Sequence, residues 1–253
     1  MITASVPGKI HLMGEHAVVY GKPALLSAIN RRLRASVEKS KKMEIITTES
    51  PTYVLYALEK VKEYLKLDSL PPMRISIDSN IPAGFHLGSS AAIAVGVVAA
   101  SIYFLKKIWN STQINKIAYE VEKKQHGNPS GGDNTTVTFG GLVWFRKELE
   151  FLKSMQQLNI TIPLVLNHFF LINTGRPKES TGDMVAFVKT QKNLQAFLDT
   201  NEVQTKRIAA AIKEKDEKTL IDAMQKGERT LEGIGVVSKK VIPTLFHTHR
   251  IKY

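Results

Sequence analysis

Ile81-Pro82-Ala83-Gly84-Phe85-His86-Leu87-Gly88-Ser89-Ser90-Ala91-Ala92 is the stretch around which the rest of the chain can be read. Before it, Arg74-Ile75-Ser76-Ile77-Asp78 alternates strictly and reads as a half-buried strand. After it, an apolar run from residue 91 to 105, interrupted by Ser101, reads as a long helix. Strand, small-residue loop and helix therefore follow in order. A helix N-terminus carries unpaired N–H groups and the positive end of the helix dipole. Gly84 and Gly88 let that backbone approach an anion closely, and Ser89 and Ser90 can add hydroxyls toward a phosphate or a bound Mg²⁺. Gly-Ser is also an ordinary helix start, because serine caps helices. Both readings stand on this segment alone. The spacing is neither Gly-x-x-x-x-Gly-Lys-Ser/Thr nor Gly-x-Gly-x-x-Gly, which excludes P-loop and Rossmann chemistry.

Working outward, residues 7–21 read Pro-Gly-Lys-Ile-His-Leu-Met-Gly-Glu-His-Ala-Val-Val-Tyr-Gly. Residues 2–6 look like a strand, Pro7-Gly8 like a tight turn, and Lys9 like the start of the next strand. A lysine there can orient an anion or favour a hydroxyl as it loses its proton. Glu15 and His16 sit beside Gly14, a loop setting suited to a polar site, although a hydrogen-bonded structural histidine fits His16 as well. Glu15-His16 is not His-Glu-x-x-His, so a zincin is excluded. On the other side lies a helix over residues 113–125, in which Glu122 and His126 stand four apart and share a face. A solvated helix charge is the plain alternative for Glu122. Asp133 follows in a Gly/Pro-rich loop that can aim its carboxylate, and residues 135–138 and 142–145 read as a hairpin around Gly140-Gly141.

Helical spacing recurs at residues 53–67 and through most of 183–231, and residues 168–173 read as an apolar strand. The strand-rich half gives way to a helix-rich half near residue 160, which predicts domains over 1–160 and 161–253. Hydrophobic residues make up 43% and charged residues 23%, which excludes a wholly disordered chain. The absence of cysteine excludes a disulfide scaffold, a thiolate metal site and a cysteine nucleophile. No uninterrupted run of about 18 apolar residues occurs, and residues 1–9 lack a signal-peptide pattern, so a cytoplasmic protein is expected. The net charge of +12, from 35 Lys+Arg against 23 Asp+Glu, attracts anions: nucleic acid, acidic membrane or phosphorylated small molecules. The basic residues are scattered in pairs such as Arg31-Arg32 and Lys239-Lys240, with no aromatic strip between them, which argues against nucleic acid.

Taken together, these segments resemble the motifs of the GHMP-superfamily small-molecule kinases and, within them, of the mevalonate kinase family. The likeness runs over residues 2–240. Residues 7–25 match the first family motif and 82–92 the second. The Gly-Glu-His-Ala-Val-Val-Tyr-Gly run at 14–21 is typical of mevalonate kinases, where galactokinases have Gly-Glu-His-Thr-Asp. Residues 126–134, and Asn173-Thr174-Gly175 followed by Ser180-Thr181, are also characteristic. The resemblance implies an α+β fold. A ribosomal-protein-like N-terminal domain with a left-handed β-α-β crossover would precede a ferredoxin-like C-terminal domain. It implies ATP-dependent phosphorylation of the 5-hydroxyl of mevalonate for isoprenoid synthesis, with ATP and Mg²⁺ as cofactors. Gly84, Gly88, Ser89 and Ser90 would cradle the phosphates, Ser90 and Glu122 would hold Mg²⁺, and Asp133 and Lys9 would be catalytic. Glu15, His16 and Thr181 would help form the substrate pocket.

The same resemblance leaves three alternatives. One is a phosphomevalonate kinase or another GHMP small-molecule kinase with similar phosphate machinery, in which Arg176 and Lys178 could serve as extra basic groups. Another is a chain that binds nucleotide without turnover, and the third is nucleic-acid binding by the basic N-terminal half. The expected partner is a small-molecule substrate, with no nucleic acid or membrane and with a homodimer allowed. Two departures from the family pattern stand out. Phe85-His86 replaces a small residue or glycine, which would strain or reshape the loop if the position needs a positive φ. No Gly-x-Gly-Gly-Gly loop follows Gly235, so an incomplete C-terminal domain is expected.

Overall fold

The computed structural model describes residues 1–127, 129–158, 160, 171–172, 174–175, 181–239 and 241. They belong to two compact units, one of residues 1–11 and 26–159, the other of residues 12–25 and 160–253. A segment close to the N-terminus thus belongs with the second unit, an assignment invisible to a reading of linear composition.

The first unit is built on a mixed sheet and four helices. Strand β1 is Ile2–Met13, β2 Pro23–Lys39, β3 Glu44–Ile46, β4 Met73–Ser79, β5 Leu142–Lys147 and β6 Lys153–Leu158. The order across the sheet is β3-β4-β2-β5-β6, with β1 also pairing with β2. Strands β2 and β4 run antiparallel from Leu33↔Ser79 to Lys39↔Met73. Strands β3 and β4 are parallel, so helix α1 (Pro51–Tyr64) makes the crossover that parallel strands require. Ser50 caps α1 by accepting from the Thr52 N–H, and Pro51 suits the first turn.

Helix α2 (Ser89–Lys106) is apolar around most of its surface because most of it is packed, its last turn excepted. Its residues share one core with Val54, Ala57, Leu58 and Val61 of α1 and with Leu33, Ala35, Val37 and Ile75 of the sheet. Ile114, Ile117, Ala118 and Val121 of helix α3 (Ser111–His126) close it from another side. By length and composition α2 could cross a membrane, but 67% of it is buried inside the protein, as befits a core helix.

Two local expectations are corrected. Pro7-Gly8 is not a turn: β1 runs straight through it, and Lys9 lies within the strand. Gly8 is there for space. A Cβ at Gly8 would come 2.9 Å from the Leu87 carbonyl oxygen, which accepts the Lys9 N–H at 2.9 Å. Residues 135–138 are not a strand but part of helix α4 (Gly132–Phe139). Their β-branched side chains favour strands. In the fold, Thr135, Thr136 and Thr138 turn their hydroxyls back onto the carbonyls of Gly131, Gly132 and Asn134, while Val137 enters the core. The hairpin instead joins β5 and β6, paired from Leu142↔Leu158 to Lys147↔Lys153.

In the second unit, helices α5 (Thr181–Lys189), α6 (Leu194–Glu214) and α7 (Glu217–Gly233) follow one another. The 14–21 run contains a 3-10 turn, Ala17–Tyr20, closed by Gly21 in the left-handed region. Ala17 and Tyr20 pack with Val188, Phe197, Leu198, Leu231 and Ile234. Lys22 is tied to α6 through Asp199 at 3.0 Å and Glu202 at 2.8 Å. The strand expected at 168–173 and the tail beyond 241 lie outside the described residues, apart from Leu171 and Ile172. Arg176 and Lys178 lie outside them as well.

Candidate active site

Lys9 and His11 leave the same face of β1 because side chains two apart in a strand point the same way. Both reach Asp133, in the first turn of α4. Lys9 Nζ lies 2.8 Å from Asp133 Oδ2, and His11 Nε2 lies 3.2 Å from Oδ1. Lys9 is 4% exposed. Burial by itself would raise the Asp133 carboxyl. The Lys9 charge and the His11 contact outweigh it and hold the group well below the usual carboxylate range.

The loop leading to Asp133 is pinned from outside. The Pro129 carbonyl accepts from Tyr119 Oη at 3.2 Å and from Lys147 Nζ at 3.1 Å. The Glu150 carboxylate accepts from both donors at 2.8 Å.

Helix α2 begins at the quoted loop. Gly88 takes φ 79° at its N-cap, and no side chain caps the helix. A Cβ at Gly88 would come 2.8 Å from Lys9 Cγ, so glycine is what lets the lysine stem lie across the helix start. Ser89 is buried and its hydroxyl has no partner among the described residues. Gly84 takes φ 81° and His86 φ 57°. His86 therefore adopts the left-handed backbone that a glycine would take more cheaply, which is the strained outcome foreseen for this position.

Ser90 Oγ donates to Glu122 Oε2 at 3.4 Å. Glu122 is 3% exposed, and its other oxygen, Oε1, has no partner among the described residues. Burial, with the negative charge of Asp133, pushes its carboxyl up to about 8. A buried carboxylate with a vacant oxygen beside a serine hydroxyl and an uncapped helix start fits a divalent cation carried in by phosphates. Among the described residues no group of three or more His, Asp or Glu could hold a metal alone.

The structure thus gathers Lys9 with Asp133, and Ser90 with Glu122. Gly88 and Ser89 lie at the same helix start as Ser90. Glu15 and His16 are half-buried and belong to the second unit, as does Thr181 at the start of α5. Sequence reading missed two residues, His11 and Tyr53. His11 touches Asp133, and its place two residues after Lys9 was the available signal. Tyr53 Oη lies 3.2 Å from His126 Nε2, which in turn lies 3.8 Å from Glu122 Oε2. No local pattern links Tyr53 to that group.

Residues 52–141 match the GHMP kinases N terminal domain. The mevalonate kinase of Archaeoglobus fulgidus is 38% identical over 190 residues, covering 73% of this chain and 62% of that protein. The mevalonate kinase of Pyrococcus abyssi is 33% identical over 218 residues, 75% of this chain and 61% of that protein. That of Saccharolobus solfataricus is 29% identical over 262 residues, 94% and 80%. The match to the first two relatives thus spans little more than three fifths of their length. A crystal structure of mevalonate kinase superposes with a TM-score of 0.79 at 21% identity, over 96% of this chain and 83% of that one. Streptococcus pneumoniae phosphomevalonate kinase in complex with phosphomevalonate and AMPPNP gives 0.78 at 19% identity, over 93% and 81%. At these identities the likeness to solved structures shows the fold alone, which is the α+β fold of the GHMP kinases. Residues 52–141 thus carry the GHMP kinases N terminal domain, and over about three quarters of its length the chain is similar to archaeal mevalonate kinases.

Proposed function

We propose that this protein transfers the terminal phosphoryl group of ATP to the 5-hydroxyl of mevalonate, giving the 5-phosphate and ADP. The observation that carries this reading is the Lys9–Asp133 pair at 2.8 Å, set against the uncapped Gly88 helix start. The α2 N-terminus and the Ser89 hydroxyl would hold the nucleotide phosphates, and Ser90 and Glu122 would hold Mg²⁺. When bound, Mg²⁺ neutralises phosphate charge. Glu15, His16 and Thr181 are assigned to the mevalonate pocket on the strength of the 14–21 and 180–181 motifs. A cytoplasmic location, a homodimer and no nucleic-acid or membrane partner belong to the same reading.

The work left to the protein is positioning and charge balance, because the transition state of phosphoryl transfer is loose. A carboxyl held as low as Asp133 is a feeble base. It accepts a hydrogen bond from the substrate hydroxyl, sets the direction of attack, and takes the proton late, as the new O–P bond forms. Lys9 supplies positive charge to the substrate oxygen as that proton leaves.

The direct test is ADP release with mevalonate, with phosphomevalonate and with neither, each with and without Mg²⁺. Release that depends on both mevalonate and Mg²⁺ is expected. Release with phosphomevalonate but not with mevalonate would reassign the substrate. In the same assay, Ser90→Ala and Glu122→Gln should raise the Mg²⁺ concentration for half-maximal rate by roughly tenfold or more, the scale on which metal sites respond to lost contacts. An unchanged Mg²⁺ requirement in both would remove these two residues from the metal site.

A further inference from the structure

The Asp133 carboxylate is gripped at both oxygens from a single strand. Lys9 Nζ holds Oδ2 at 2.8 Å, and His11 Nε2 holds Oδ1 at 3.2 Å. An ionised carboxylate can only accept, so Nε2 is the ring nitrogen that carries the hydrogen. The opposite nitrogen, Nδ1, is buried and meets no partner among the described residues. Among the described residues the network therefore ends at the imidazole.

A single bond from Lys9 would leave the carboxylate free to swing, because the terminal torsion of an aspartate is broad. The Asp133 side chain is 35% exposed, so water competes for any oxygen left unheld. His11 is 16% exposed at the side chain and stands on a strand paired to β2, which makes it a rigid second anchor. The two donors come from alternate positions of one strand, so their spacing is set by the backbone.

We propose that His11 is a positioning residue for the phosphoryl transfer described above. Its Nε2–H···Oδ1 bond fixes the plane of the Asp133 carboxylate and turns the remaining lone pairs toward the substrate hydroxyl. The proposal rests on that functional reading. It gives His11 a role as a donor and none as a proton carrier.

Wild type, His11→Gln and His11→Leu are compared by steady-state ADP release, after thermal melts have established that each is folded. Glutamine offers an amide N–H near the reach of Nε2, whereas leucine fills the space with no donor. His11→Leu is expected to lower kcat roughly tenfold, within the 10²-fold that a misplacement of about 1 Å can cause. KM for ATP should stay within about twofold, because no phosphate contact is touched. His11→Gln should recover most of the loss. Equal losses in both folded variants, or no loss in either, overturn the proposal.

Long-range ¹H–¹⁵N spectra of the nucleotide-free wild type give a readout that needs no substrate. His11 is expected as the Nε2–H tautomer, and an Nδ1–H tautomer overturns the proposal. If His11→Leu does not fold, the tautomer and the His11→Gln kinetics decide. A wild type that shows the expected tautomer but no mevalonate-dependent turnover overturns the functional reading itself, which separates that failure from a failure of the His11–Asp133 geometry.

Discussion

Asp133→Asn is expected to lower kcat by roughly 10²–10⁴-fold, the range over which a lost acid–base or hydroxyl-orienting group is felt. Asparagine keeps the shape of the side chain and can still accept from Lys9 through its carbonyl. The loss is therefore one of charge and of proton-accepting capacity. KM for ATP should change little, since the phosphates are assigned to the α2 N-terminus and Ser89. The substitution also leaves the buried Lys9 ammonium without its counter-charge, so a clear fall in melting temperature is expected beside the kinetic loss. Steady-state kinetics with both substrates and a thermal melt check all of this. A folded Asp133→Asn protein with wild-type kcat would take Asp133 out of the reaction.

Lys9→Met should reduce kcat by roughly 10²–10³-fold, the scale for removing one preorganised charge-stabilising donor. Methionine is unbranched and of similar length, so it can occupy the buried path across Gly88 that the lysine stem now takes. What disappears is the ammonium, and with it the main influence holding the Asp133 carboxyl low. In Lys9→Met that carboxyl should rise toward the ordinary range. The consequence for stability has a definite sign. A carboxyl whose folded-state value is depressed contributes stability above its unfolded value, about 3.9, and that contribution is lost as pH falls through the folded value. The stability gap between wild type and Lys9→Met should therefore be present at neutral pH and shrink below about pH 4. Denaturant melts at pH 7 and at acid pH measure it. A gap that widens on acidification would show that the ion pair is not its source.

Much of the site could be read along the chain because its parts are local. The 74–78 strand, the Gly84–Gly88 loop and the apolar helix behind it are consecutive, and local periodicity and glycine placement are enough to recognise them. The shared face of Glu122 and His126 follows from four-residue spacing in a helix. The strain at His86 was foreseeable once the position was known to want a positive φ.

Other features were decided only by contacts between distant parts of the chain. Residues 135–138 carry a β-branched pattern, yet they are helical because Val137 is drawn into the core shared with α1, α2 and the sheet. Pro7-Gly8 looks like a turn, yet it stays extended because the Leu87 carbonyl needs the space a side chain would fill. The 14–21 run sits near the N-terminus but packs with α6 and α7, since Ala17 and Tyr20 find their apolar neighbours there.

The amino-acid sequence by itself showed the strand–loop–helix order around Gly84 and Gly88 and the types of residue available for chemistry, because each depends on near neighbours, while the α+β class came from the resemblance to the GHMP kinases. Only the tertiary structure decided that His11 meets Asp133 across 122 residues, that Lys9 shares that carboxylate, and that Glu122 is buried with one oxygen vacant. Hydrogen bonds and ion pairs form at about 3 Å and weaken steeply beyond it, and distances of that kind between remote residues are set by the packing of strands and helices.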